Sequence, residues 1–437
     1  MRGEKDTTIT SDSLVAPSQS LFNTIFLNIC DLPNSLLIEI LCRLPCKFVL
    51  RCKCVCKSWS TLISHPYFES RRALYLRNNC DNEQIPMFVV HSYPLADNTA
   101  ELLTIDSNQT HAELRALDFL PSKLVVVATY NDLILLCEKT LGFQRKYYYI
   151  CNPYTKQWVA VPPPPILFPQ QEVGVGFIRD SDYRCRIVRL LEFDAEPDDF
   201  RLKVEMFSSE TGKWIESVVL CPKRFRPHPL QQSAPALAYN GTLYWLGRGG
   251  ILIGLEPFKL DNKNNHNYHC HFISGPRSGF PLFYDSYNYT DCLGVCRGCV
   301  RMCRLYTLTR FILFVWELKE DSGLEVDGVG GKKMKWCLKE RIFLDQIKSQ
   351  YMVPHPYWLL ALDPNDEDML YLLRRPSSSD PKDIVKCNIR TETLIDISPK
   401  LPLKTDVEAF PFMLSWWRWP TPVPKLGHHN NSSCPPQ

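Results

Sequence analysis

Cys292, Cys296, Cys299 and Cys303, spaced C-x3-C-x2-C-x3-C and preceded by His266, His269, Cys270 and His271, are the residues of this chain with the most evident capacity for chemistry. Four soft thiolates at such short range could hold zinc in a small tetrahedral loop. Small cysteines are also ordinary core residues, and core or rim thiols are the favoured reading, with metal and redox roles as the alternatives. No zinc and no other cofactor is therefore expected. Cys52, Cys54 and Cys56 invite a similar metal reading, but on a helix a separation of two places them on different faces, which suits packing better than one ion. Asp363-Pro364-Asn365-Asp366-Glu367-Asp368 has the acidity of a calcium loop without its central glycine and terminal glutamate, so a turn is expected there. The chain contains no GxSxG elbow, phosphate loop or HExxH helix, and no catalytic residues are predicted.

The elements that could position functional side chains begin with the run from Asp31 to Phe68, DLPNSLLIEILCRLPCKFVLRCKCVCKSWSTLISHPYF. Asp31 can cap a helix start, Pro33 suits the first turn, and Leu36, Leu37, Ile40, Leu41 and Leu44 form an apolar stripe at helical spacing. Pro45 stops that helix. A second helix is predicted from about Cys46 to Cys56 and a third from about Lys57 to Ile63, closed by His65 and Pro66. Three short helices within about forty residues cannot hide Leu32, Ile40, Leu44, Leu50, Val55 and Trp59 together, so an apolar face is left for a partner.

This stretch resembles an F-box. The resemblance rests on Asp31-Leu32-Pro33, Glu39-Ile40-Leu41, Arg43-Leu44-Pro45, Lys47, Leu50-Arg51-Cys52-Lys53, Val55-Cys56-Lys57, Trp59, Leu62-Ile63, Pro66 and Phe68. It implies docking onto the small SKP-family adaptor subunit of a cullin-RING ubiquitin ligase. The implied docking residues are Leu32, Pro33, Ile40, Leu44, Pro45, Leu50 and Val55, and the implied core of the module is Leu37, Leu41 and Trp59. Phe48 and Val49 depart tolerably from the small polar and aliphatic residues that plant members often carry there.

Composition frames the remainder. The chain has 437 residues, 45% hydrophobic and 12% aromatic, enough for a large core and more than one domain. A net charge of +3 does not by itself imply a nucleic-acid or membrane partner. Locally, Arg43, Lys47, Arg51, Lys53, Lys57, Arg71, Arg72 and Arg77 face Glu69 alone between residues 43 and 77, a basic rim that could steer an acidic protein partner. The first residues show no secretory pattern and Leu21 to Cys30 is too short and polar to span a membrane, so cytoplasm or nucleus is expected. The 19 cysteines then read mostly as reduced thiols, and the sequons at Asn108, Asn240, Asn288 and Asn430 carry little weight.

From about Leu114 the texture changes to short strands separated by turns, among them Lys123 to Ala128, Leu133 to Cys137, Lys146 to Cys151, Arg184 to Leu190, Leu202 to Phe207, Thr242 to Leu246, Phe311 to Leu318 and Met369 to Leu373. A loose repeat joins Tyr149 to Trp158 with Met206 to Trp214, each a strand, a polar turn and a strand opening with Trp. Fainter echoes lie at Ile253 to Lys259, near Trp336 and at Lys386 to Leu394. Centres about 50 to 60 residues apart suit four-stranded propeller blades, about six in all, with each aromatic filling the wedge between blades. The Pro162 to Pro165 run reads as a stiff blade connection.

This region resembles the F-box-associated region of plant F-box proteins, itself related to kelch-type repeats. The matching landmarks are Tyr149 to Trp158, Val173-Gly174-Val175-Gly176-Phe177, Arg184 to Leu190, Val204 to Trp214 and Asn240-Gly241-Thr242-Leu243-Tyr244-Trp245-Leu246. The predicted fold class is multidomain α+β, a small three-helix F-box followed by an all-β, propeller-like substrate-binding domain. The expected organisation is a flexible segment at 1–30, the F-box at 31–70, a bridge at 71–113, the sheet domain at 114–417 and a disordered tail at 418–437. The expected function is a non-catalytic adaptor that brings a target protein to an SCF-type ligase. Its partners would be the SKP-family adaptor, indirectly the cullin and RING subunits, and a target met through loops such as Asp261 to Tyr289 and Glu320 to Lys335. An F-box scaffold that acts without target ubiquitination is the alternative.

Overall fold

The computed structural model divides the chain into two compact units, Met1–Asp81 and Asn82–Gln437. It describes residues 29, 32–44, 46–65, 67–68, 71–72 and 75 of the first unit. In the second it describes 86–92, 100–105, 112–120, 124–138, 147–165, 172–180, 182–192, 201–221, 225–226, 234–259, 268–276, 289–306, 311–320, 334–344, 357–364, 366–374, 383–396, 407–413 and 423–426.

The described residues of the first unit include the short helices α1 (Asn34–Cys42), α2 (Cys46–Cys52) and α3 (Lys57–Ile63). Pro33 occupies the N-cap position of α1 and makes no side-chain cap bond, while Asp31, the expected cap, lies outside the described residues. α2 stops four residues short of the predicted Cys56. Turn bonds from Cys54 N to Arg51 O and from Val55 N to Cys52 O replace the helix, and Cys56 turns extended to become the N-cap of α3. Its Sγ accepts from the Trp59 amide at 3.5 Å, which accounts for a cysteine at a helix start.

The second unit is built from antiparallel runs of strands. β1 (Pro86–Ser92), β2 (Ala100–Ile105) and β3 (Ala112–Ala116) form one run whose inner partner, β25 (Val407–Met413), comes from the far end of the chain, with Pro86 facing Met413 and Ser92 facing Val407. The stretch read as a bridge, 71–113, therefore contains two whole blade strands and the start of a third. Its strand character is fixed by pairing with β25, a partner that no local pattern reveals. The second run is β4 (Leu124–Tyr130), β5 (Leu133–Glu138), β6 (Tyr148–Asn152) and β7 (Gln157–Val161). The third is β8 (Glu172–Arg179), β9 (Cys185–Glu192), β10 (Arg201–Ser208) and β11 (Lys213–Leu220). The fourth comprises β12 (Ala234–Tyr239), β13 (Thr242–Leu246) and β14 (Leu252–Leu255); after the short β15 (Tyr268–His269), which lies parallel to β11, it is completed by β16 (His271–Ile273). The fifth is β17 (Tyr289–Cys296), β18 (Cys299–Tyr306), β19 (Ile312–Glu320) and β20 (Met334–Phe343), and the sixth is β21 (Tyr357–Leu362), β22 (Met369–Arg374), β23 (Asp383–Asn388) and β24 (Thr393–Asp396).

These runs make five sheets among the described residues, a five-bladed β-propeller by that count, against the predicted six or so. The difference has one cause. β8 and β12 hydrogen-bond in parallel at Gly174↔Ala234 and Val175↔Pro235 and fuse the third and fourth runs into a nine-stranded sheet. Close approach there requires glycine: a Cβ on Gly174 would stand 2.7 Å from Trp245 Cδ1, and one on Gly176 would stand 2.8 Å from Ala236 Cβ.

Both repeats that end in Trp are hairpins, but their tryptophans differ. Trp214 fills a wedge, packing in tilted contact against Tyr148 of β6 and Phe207 of β10 and donating Nε1–H to Pro162 O at 2.7 Å. Trp336 likewise donates to Gly250 O at 3.2 Å and joins the cluster of Met302, Phe314 and Trp316. Trp158 instead lies 44% exposed, in edge contact with Tyr149 of its own run. Within the expected tail, Pro424 is buried and Leu426 packs against the cluster of Tyr148, Ile150 and Phe207, so this part of 418–437 is held by the sheet unit.

Candidate functional site

On α1 the apolar stripe splits between two faces. Leu37, Ile38, Leu41 and Cys42 are buried, whereas Leu36 and Ile40, one turn apart, stand 52% and 41% exposed. Pro33 is exposed, Leu32 and Leu44 are half-buried, and Val55, in the turn after α2, is 60% exposed. Pro45 and the side chain of Leu50 lie outside the described residues. Trp59 is buried with Leu37 and Leu41, together with Val49, Ile63 and Phe68. Leu36, Phe48 and Tyr67 add exposed apolar surface that motif matching did not single out as docking residues.

Arg72 is a structural residue that sequence reasoning placed wrongly, on the exposed rim. It was counted in the basic rim, yet it is 3% exposed and donates Nη1–H to Leu41 O at 3.1 Å and Nη2–H to Leu44 O at 2.9 Å. A guanidinium at the C-terminal end of α1 adds charged donors to its last carbonyls and meets the negative pole of the helix. The rim itself is partly compensated, since Glu39 pairs with both Arg43 at 3.1 Å and Arg71 at 3.4 Å on the exposed surface.

The cysteine cluster is a hairpin. Cys292 faces Cys303 and Cys296 faces Cys299 across β17 and β18, closed by Arg297 and Gly298 in positive φ. The two pairs are four residues apart along the strand, about 13 Å, too far for one tetrahedral ion. Burial pushes the Cys292 thiol up to about 12 and the Cys296 thiol up to about 11, and the Cys292 S–H reaches Leu360 O on the neighbouring run at 3.7 Å. Among the described residues no three His, Cys, Asp or Glu side chains are grouped to hold a metal ion. His266 lies outside the described residues, and His271 pairs with Glu256 at 3.0 Å.

The acidic segment 363–368 is a turn tied down by cations. Asp363 Oδ1 accepts from the Asp366 amide at 3.2 Å and Asp368 accepts from Arg390 Nε at 2.7 Å. Glu367 accepts from Arg301 at 3.0 Å and from Lys339; with Lys339 the larger cause, these bonds hold its carboxyl down at about 2. Deeper in the third run, Arg189 bridges Glu172, at 2.9 Å, and Glu205, and Tyr148 donates to the same Glu172 at 2.8 Å. These ionised groups serve the blades. The two proposed target loops, 261–289 and 320–335, lie largely outside the described residues.

No helix among the described residues is long and apolar enough to cross a membrane. Two families match the chain. The F-box domain family matches residues 29–71, and the family described as "F-box protein At3g26010-like, beta-propeller" matches residues 58–401. The chain is 23% identical to F-box protein At3g26010 of Arabidopsis thaliana over 371 residues, covering 83% of this chain and 78% of that protein. It is 29% identical to F-box protein At5g49610 of the same plant, over 50% of this chain and 58% of that protein. It is 26% identical to the putative F-box/kelch-repeat protein At4g22430, also from Arabidopsis thaliana, over 68% of this chain and 69% of that protein. Among solved structures it is similar to TolB from Acinetobacter baumannii, at a TM-score of 0.40 and 9% identity over 79% of this chain and 71% of that one, a likeness too distant to add to the argument. With a match that spans more than three quarters of its length, the chain belongs to the At3g26010-like beta-propeller family of F-box proteins.

Proposed function

We propose that the chain is the substrate-recognition adaptor of an SCF-type cullin-RING ubiquitin ligase. F-box domains bind SKP1-like subunits in SCF complexes, and the observation that carries the reading is the exposure of Leu36 and Ile40 on one face of α1 within the F-box match. An apolar face of this kind on so small a unit calls for a partner. The docking set is Leu32, Pro33, Ile40, Leu44, Pro45, Leu50 and Val55, joined by Leu36. The propeller unit holds the target protein. Its ionisable clusters pair with one another inside the blades, which favours a binding role over catalysis.

The chemical contribution is proximity. Holding the target near the recruited conjugating enzyme makes transfer to an acceptor lysine effectively intramolecular, with no nucleophile supplied by this chain. Such a protein would work in the cytoplasm or the nucleus, where SCF subunits reside. Reconstitution with adaptor, cullin, RING subunit and conjugating enzyme tests the reading. A stably bound partner should be ubiquitinated by the intact chain, and a chain lacking residues 31–68 should still bind that partner but leave it unmodified. Partner binding without modification, where a control adaptor succeeds, would assign the chain to a scaffold role for that partner.

A further inference from the structure

Cys221 directly follows β11 and Cys270 directly follows β15, and the parallel pairing of Val219 with Tyr268 and Leu220 with His269 makes these cysteines the next facing positions. Their Sγ atoms lie 3.2 Å apart although 49 residues separate them in sequence. Neighbouring strands run about 4.8 Å apart, within the range of about 4.4–6.8 Å between Cα atoms that a disulfide bridges. Cys221 is 7% exposed and Cys270 is half-buried, so one thiol is sheltered and the other can be reached from solvent. The Cys270 S–H donates to Leu220 O at 3.5 Å, which leaves Cys221 the donor between the two sulfurs. That donation holds the Cys270 thiol below its ordinary range.

We propose that Cys221 and Cys270 form an oxidisable dithiol site that takes hydrogen peroxide as oxidant and closes to a disulfide. In the first step the Cys270 sulfur attacks a peroxide oxygen, the O–O bond breaks, and the departing oxygen leaves as water with the thiol proton. Cys221 then attacks the sulfenic sulfur of Cys270. The S–S bond forms as the S–O bond breaks, and a second water carries off the hydroxyl and the Cys221 proton. Both thiols are oxidised and the peroxide is reduced to two waters.

The position of Cys270 gives the bond its effect. It is the single residue between β15 and β16, and those strands are the two ends of the nine-stranded sheet. Fixing it to the end of β11 ties the third and fourth runs together at their outer strands, in addition to the short β8–β12 pairing.

Titrating the purified full chain with hydrogen peroxide, followed by peptide mapping without reduction, tests the site. The expected product is a cross-linked peptide pair containing Cys221 and Cys270, lighter than the sum of its parts by two hydrogens and released by dithiothreitol. It should form with a rise in Tm of about 3–5 °C. In Cys221→Ala the rise should vanish, and Cys270 should instead become labelled by dimedone as a sulfenic acid. Should that variant fail to fold, the peptide map of the unmodified sequence decides the matter. Preferential pairing of either cysteine with another, or survival of both thiols at doses that oxidise the exposed Cys54, would overturn the proposal.

Discussion

Arg72 donates to the main-chain oxygen of Leu41 at 3.1 Å, a hydrogen bond that spans 31 residues and closes the C-terminal end of α1. With its companion bond to Leu44 O it ties the chain after α3 back onto the first helix. Replacing Arg72 by Met keeps much of the apolar stem and removes both charge-assisted bonds, leaving Leu41 O with only the longer bond from the Leu44 amide at 3.3 Å. The helical unit should lose about 2–3 kcal/mol, read as a lower midpoint in denaturant for the far-ultraviolet helical signal of the full chain. An unchanged midpoint would show that water replaces the guanidinium at no cost.

Leu36→Ala with Ile40→Ala removes exposed surface from α1 without touching Leu37, Ile38 or Leu41 beneath it. Binding to purified adaptor should weaken by about 10- to 100-fold, from the apolar area withdrawn from the interface. Leu32→Ala with Pro33→Ala should weaken it as well. Titration calorimetry with the adaptor reads both, and equal affinities with intact helical spectra would remove this face from the docking surface.

Trp59 is 7% exposed, and its Nε1 has no hydrogen-bond partner among the described residues. The residue therefore contributes by filling space. Trp59→Ala should cost about 3–5 kcal/mol, enough to unfold so small a unit, while Trp59→Phe should cost only about 1 kcal/mol because no bond is lost. Limited proteolysis of the first unit separates these outcomes. A Phe variant as damaged as the Ala variant would mean that the indole N–H matters.

The Glu367 carboxyl is held at about 2 against an ordinary 4.5 by Lys339 and Arg301. A carboxylate whose folded value is depressed contributes stability that is fully present above about 4.5 and is lost as pH falls towards 2. With this side chain 24% exposed, solvent screening limits the contribution to about 1–2 kcal/mol. Glu367→Gln should therefore lower the melting temperature at pH 7, and the gap to the unsubstituted chain should close between pH 4.5 and pH 2. A gap that stays constant across this window would mean that the glutamine fails for steric reasons.

Local signals in the sequence determined the parts of this protein whose contacts are short in chain length. The helix at Lys57–Ile63, the apolar stripe that includes the buried Leu37 and Leu41, and the hairpins joining β6 to β7 and β10 to β11 follow from periodicity and turn residues within about ten positions. The F-box was legible through its motif resemblance, and the propeller character through the spacing of its repeats and its resemblance to the F-box-associated region. Tertiary structure alone decided the rest. β1–β3 read as a bridge because their blade is completed by β25, whose Met413 pairs with Pro86. Trp158 and Trp214 occupy equivalent places in one repeat, yet Trp214 packs onto the neighbouring run while Trp158 lies 44% exposed, and only the path of the chain makes Arg72 a helix cap. Cys221 and Cys270 were two thiols among 19 until a parallel strand pair set them side by side. Periodicity records which face of an element turns away from water, but not which distant element covers it. That choice is made when burial and backbone pairing are satisfied across the whole chain at once.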